Sequence, residues 1–124
     1  MKYLPLEIVK AKALLLGFHD CGAAKAEKLC SKNFDNWISK GYNADMDYLS
    51  NYHSQRFNVC ELLEDAKTVF SFVISYNTEN QLEESKVKIA SYAQGKDYHK
   101  VIKQKLYALL EELKDLYPDL NAKI

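Results

Sequence analysis

Thr68-Val69-Phe70-Ser71-Phe72-Val73-Ile74-Ser75-Tyr76 is a run of β-branched and aromatic residues, which suit a pleated, half-buried surface. It predicts a strand. Apolar side chains occur at both parities, Val69 and Val73 on one side and Phe70, Phe72 and Ile74 on the other, so the expectation is a central strand covered on both faces. Upstream, Glu61-Leu62-Leu63 reads as a short helical turn leading through Ala66-Lys67 into the strand. Downstream, 77–86 is a polar connection, after which Val87, Ile89 and Ser91 alternate with Lys88, Ala90 and Tyr92 as a second extended segment would.

The next nine residues carry most of the chain's ligand chemistry. Ser91-Tyr92-Ala93-Gln94-Gly95-Lys96-Asp97-Tyr98-His99 sets a glycine, a helix-capping aspartate, two tyrosines and a histidine in one turn. Asp97 is a good N-cap, and Gly95 permits a turn or a close backbone approach. The N–H groups of Tyr98, His99 and Lys100 would then open a helix, an end that favours anions and polar ligand edges. An ordinary strand-to-helix turn is the alternative. From about Tyr98 to Tyr117, Val101, Ile102, Leu106, Leu109, Leu110, Leu113 and Leu116 mark one helical face. At ~1.5 Å per residue that helix is about 30 Å long, and Pro118 stops it. Leu120 and Ile124 follow without a closing element, an ending that reads as cut.

Towards the N-terminus, Pro5 suits a first helical position, and Leu6, Val9, Ala13 and Leu16 recur at helical spacing until Gly17. Phe18 to Ala24 reads as a short extended or turning segment. A second helical pattern holds Leu29, Phe34, Trp37 and Ile38 and ends near Gly41, with the Trp37-Ile38 pair expected in the core. In Gly41 to Leu49 a short helix follows a polar loop, with Met46 and Leu49 on its buried side. Asp45 and Asp47 read as a solvated capping loop, because no further ligand stands at a recognisable metal spacing. Arg56 is the sole arginine. Its planar fork suits carboxylate, phosphate or amide oxygens, with a surface salt bridge as the plainer alternative.

A chain of 124 residues with 48% hydrophobic and 27% charged residues can bury a core as one domain. Seventeen basic residues balance seventeen acidic ones, so a strongly basic nucleic-acid-binding domain is not indicated, although a local patch of Lys96, Lys100, Lys103 and Lys105 remains open. Cys21, Cys30 and Cys60 are odd in number, form no Cys-x-x-Cys pair and are expected to be reduced and mostly buried. The N-terminus lacks the apolar core of a signal peptide or membrane span. A cytoplasmic, monomeric protein without a membrane partner is expected, with an α+β (α/β-like) fold: a small central sheet with packed helices.

Three blocks resemble the N-terminal part of the epoxyqueuosine reductases, cobalamin-dependent iron–sulfur enzymes of tRNA queuosine synthesis. The first is Gly41-Tyr42-Asn43-Ala44-Asp45-Met46-Asp47-Tyr48-Leu49. The second runs from Arg56 through Glu61-Leu62-Leu63 to Ala66-Lys67-Thr68-Val69. The third, Ile89-Ala90-Ser91-Tyr92-Ala93-Gln94-Gly95-Lys96-Asp97-Tyr98-His99-Lys100-Val101, is the most specific, though Ser91 stands where arginine is usual.

The resemblance implies an oxidoreductase in which a low-valent cobalamin, fed by [4Fe–4S] clusters, removes the epoxide oxygen of wobble-position epoxyqueuosine in tRNA. It places Arg56 and Ala90 at the cobalamin: the corrin's amide side chains accept from an arginine, and a small residue lets backbone come close. Tyr92, Asp97, Tyr98 and His99 join them as cofactor-binding residues. It also implies that the catalytic aspartate and the cluster-binding cysteines lie beyond Ile124, so that 1–124 is a single N-terminal domain, inactive alone, with no catalytic or metal-binding residue of its own. A stand-alone corrinoid-binding module and a protein-interaction module are the alternatives.

Overall fold

The computed structural model describes residues 3–76, 89–93 and 95–124. These form an α+β structure of α1 (Leu6–Leu15), β1 (Asp20–Lys25), α2 (Lys32–Ser39), α3 (His53–Phe57), β2 (Thr68–Val73) and α4 (Tyr98–Leu116), with short 3-10 turns between. Packing divides the chain into two units, Met1–Ala23 with Phe70–Ala122 and, separately, Ala24–Val69. The strands pair antiparallel in a two-stranded sheet: the His19 N–H donates to the Val73 carbonyl at 2.7 Å, and the Ala26 N–H to the Lys67 carbonyl at 2.9 Å.

In the first unit, the helical spacing of α1 buries Val9 and Ala13, and that of α4 buries Leu109 and Leu113. With Phe18 and Cys21 they make the core, where each fully buried leucine-sized side chain stabilises by roughly 1.5–3 kcal/mol. Lys12 and Glu112 bridge α1 and α4 at 2.8 Å. Gly17 ends α1 with φ +89°. Its N–H donates to the Leu14 carbonyl and the Phe18 N–H to the Ala13 carbonyl, both at 3.0 Å, the paired bonds of a Schellman stop. The Lys105 ammonium donates to the Leu16 carbonyl, so this lysine closes the end of α1.

Strand β2 departs from expectation. Phe70, Phe72 and Ile74 pack against the core, and Phe18 and Phe72 meet at 5.1 Å between ring centroids. Val69 and Val73, however, are 36% and 57% exposed. The strand is one of two and covered on one face among the described residues, not central and covered on both. Of the second extended segment, 87 and 88 lie outside the described residues; Ile89 and Ala90 are in no strand, and Ser91–Ala93 is a single 3-10 turn. Leu116, placed on the core face of α4 by its spacing, is 49% exposed.

In the second unit, aromatic stacking replaces a buried aliphatic core. Phe34 lies 6.2 Å from Trp37, 6.2 Å from His53 and 5.4 Å from Phe57. Trp37 and Ile38 are half-buried rather than core, and Met46 is exposed. Cys30 and Cys60 are exposed; only Cys21 is a buried thiol. No helix among the described residues is long and apolar enough to cross a membrane.

Candidate functional site

The residues singled out by sequence fall in both units. In the first, Asp97 caps α4: its Oδ1 accepts from the His99 N–H at 3.0 Å, and its carbonyl accepts from the Lys100 N–H at 3.1 Å. Two of the three N–H groups expected to face an anion are thus taken by Asp97 itself. The capping assignment holds, and the anion-site reading is corrected to a self-closed helix end. Gly95 has φ +100° and open space where a side chain would stand, so the turn requires glycine for its backbone angle, not for a close approach.

The same cap orders His99. Its Nδ1 lies 3.0 Å from Asp97 Oδ1, a contact in which Nδ1 donates and Nε2 is left towards solvent, the ring being largely exposed. Tyr98 stacks on His99 at 4.0 Å and 27°. Tyr92 meets Tyr98 edge-on at 6.2 Å, and Tyr76 meets Tyr92 edge-on at 6.3 Å, offset geometries that favour the aromatic quadrupoles. Together with Ile74 and Ile102 these tyrosines line an open cavity of about 290 Å³. The wall is apolar, built of aromatic rings and aliphatic side chains. Ala90 is exposed and its carbonyl accepts from the Ala93 N–H at 2.9 Å, closing the turn before this wall. Sequence marked Tyr92 and Tyr98; it gave no sign that Tyr76, Ile74 and Ile102 complete the wall, since their approach depends on tertiary packing.

In the second unit, Arg56 stands in α3 rather than in a loop. One terminal nitrogen donates to the Leu49 carbonyl at 3.2 Å, and the guanidinium carbon sits 5.2 Å from the centre of the Phe34 ring. It has no carboxylate partner among the described residues. Arg56, Tyr52, Gln55 and Leu62 line a shallow cavity of about 420 Å³. Tyr52 starts α3 at φ +56°, a left-handed backbone that costs a non-glycine residue about 1–2 kcal/mol. His53 lies 2.6 Å from Asp35, whose other oxygen accepts from the Ser31 hydroxyl at 2.7 Å. That hydroxyl first, and His53 second, hold the Asp35 carboxyl below its ordinary range.

Residues 56–124 match the family model described as "Epoxyqueuosine reductase QueG, DUF1730". The chain belongs to this family. It is 38% identical over 122 residues to the epoxyqueuosine reductase of Cyclobacterium marinum, covering 95% of this chain and 39% of the relative. It is also 38% identical over 107 residues to that of Cellulophaga algicola, covering 85% of this chain and 35% of the relative. It therefore spans well under half the length of these members. The fold is similar to that of the epoxyqueuosine reductase of Streptococcus thermophilus, with a TM-score of 0.75 at 21% identity, over 91% of this chain and 32% of the other.

In the first unit the tyrosine wall offers a flat apolar surface; in the second, Arg56 keeps guanidinium N–H groups uncommitted among the described residues, donors of the kind that amide oxygens accept. No group of three histidine, cysteine or acidic side chains able to hold a metal occurs among the described residues. Burial first, and Asp20 second, push the Cys21 thiol up from its ordinary range, away from the thiolate that a cluster needs.

Proposed function

We propose that the chain is the N-terminal, cobalamin-contacting part of an enzyme that reduces epoxyqueuosine to queuosine in tRNA in the cytoplasm. Family membership supports the reaction class, and the observation that carries the cofactor assignment is the apolar tyrosine wall at the Asp97-capped opening of α4. Tyr92 and Tyr98 give the corrin an aromatic surface, with the stacked His99 ring extending it. Ala90 leaves the backbone open to a flat ligand, and in the second unit Arg56 offers N–H donors of the kind that a corrin's amide oxygens accept. When bound, a reduced corrin supplies the electrons that remove the epoxide oxygen. Electron delivery by [4Fe–4S] clusters and proton donation fall to residues outside this chain.

For tRNA, Lys96 and Lys100, which have no ion pair among the described residues, are the phosphate partners. Lys105 is committed to the Leu16 carbonyl, and Lys103 lies 6.0 Å from the Tyr107 ring centre, so the patch is narrower than its four lysines suggest.

The test is a hydroxocobalamin titration of this chain beside the full-length Cyclobacterium marinum relative, followed by absorbance and calorimetry. The expected result is binding by the relative, weaker binding by this chain, and further loss on Tyr98→Ala. Failure of both proteins to bind removes the corrin assignment. An affinity indifferent to Tyr98→Ala removes the tyrosine wall from it.

A further inference from the structure

The second unit holds its arginine in a way that the family resemblance does not describe. The guanidinium rests on the Phe34 ring and donates to the Leu49 carbonyl, so two contacts from different segments fix its position. The ring beneath it is itself fixed. Phe57, one residue after Arg56 in α3, packs on Phe34 at 5.4 Å, and His53, three residues before Arg56, packs on Phe57 at 5.1 Å. His53 in turn is tied to α2 by Asp35 at 2.6 Å. A long, flexible side chain with several accessible rotamers is thus held against a rigid aromatic face, and less freedom remains to be lost on binding.

We propose that Phe34 is a positioning residue for Arg56: its ring seats the guanidinium so that the remaining N–H groups are presented at the cavity lined by Tyr52, Gln55 and Leu62, to a ligand rich in amide or carboxylate oxygens. This rests on the corrin reading of Arg56 for the ligand but not for the seat, and the two are tested separately.

Arg56 is the chain's sole arginine and Trp37 its sole tryptophan, so each gives one side-chain N–H signal in a nitrogen–proton correlation spectrum. Stacking on Phe34 shifts the Arg56 Nε–H and its neighbouring methylene protons upfield from their positions in the urea-unfolded chain. Phe34→Leu returns them towards those positions, with a native far-UV circular dichroism spectrum and a cooperative urea transition confirming that the chain stays folded; Phe34→Met does the same if the leucine variant unfolds. Equal Arg56 shifts in the folded and unfolded native chain, or shifts unmoved in a folded variant, overturn the seat.

Hydroxocobalamin affinity supplies the second readout. Phe34→Leu weakens it about two- to five-fold, the size of an exposed cation–π contact, and has no effect once Arg56→Ala is present. Equal weakening in both backgrounds overturns positioning in favour of a general structural role. If Arg56→Ala alone leaves the affinity unchanged, the corrin reading of Arg56 falls, and the Nε–H shift still decides the seat.

Discussion

Gly17→Ala sets two opposing effects against each other at the end of α1. At φ +89° an alanine is strained, at about 1–2 kcal/mol for a left-handed residue. Its Cβ would also lie 2.9 Å from the Lys105 Nζ, which must move off the Leu16 carbonyl it caps. A charge-assisted hydrogen bond contributes ~1.5–3 kcal/mol, and half-exposure reduces this one to about 1 kcal/mol. Against both stands the lower entropy of the unfolded alanine chain, a gain of about 0.4–1 kcal/mol. Strain and lost capping win, with a net destabilisation of about 1–2.5 kcal/mol. Urea unfolding followed by far-UV circular dichroism, which reports α1 and α4, should show a midpoint lower by about 1 M. In a Lys105→Met background the hydrogen bond is already absent, so the same substitution costs about 1 kcal/mol less. A Gly17→Ala chain as stable as the native one would refute the strain argument. An identical cost in the two backgrounds would refute the role given to Lys105.

Asp97→Ala should cost about 1 kcal/mol and raise amide exchange in the first turn of α4 while Leu109 and Leu113 stay protected; uniform exchange along the helix would contradict a local cap. Asp35, held below its ordinary value of 3.8 by Ser31 and then His53, contributes stability that is fully present above that value and lost as pH falls through the lower folded one. Asp35→Asn should therefore flatten the acid limb of a stability–pH curve below about pH 4, and an unchanged limb would show the pair to be without consequence. Of the three thiols, Cys30 and Cys60 are exposed and Cys21 is buried, so a thiol reagent should label two rapidly and the third only on unfolding; three fast reactions would contradict the core assigned to Cys21.

Elements written in neighbouring residues were legible. The helix of Leu6, Val9 and Ala13 stopping at Gly17, and the long helix between Asp97 and Pro118, follow from spacing and from caps that act within a turn or two. What was not legible depends on residues far apart in the chain. Lys105 reads as one more cation on a helix surface until Leu16, 89 positions away, supplies its acceptor. His19 reads as a polar turn residue until its Nδ1 accepts from the Ser75 N–H, 56 positions away, and extends the strand pair by a side chain.

The faces of β2 show why such misses have a common cause. Valines on one parity and phenylalanines on the other satisfy the pattern of a doubly covered strand equally well, because alternation records which side chains share a face and not whether a layer lies over it. Here α1 and α4 supply one layer, over Phe70 and Phe72, and Val73 is left exposed. Arg56 obeys the same logic at the level of function. Its residue type announced a planar donor, but its contacts among the described residues are to Phe34 and Leu49, neither of which carries any mark in sequence of serving it. The donor character of Arg56 was therefore readable from its residue type, while the contacts that hold it reside in its tertiary neighbours.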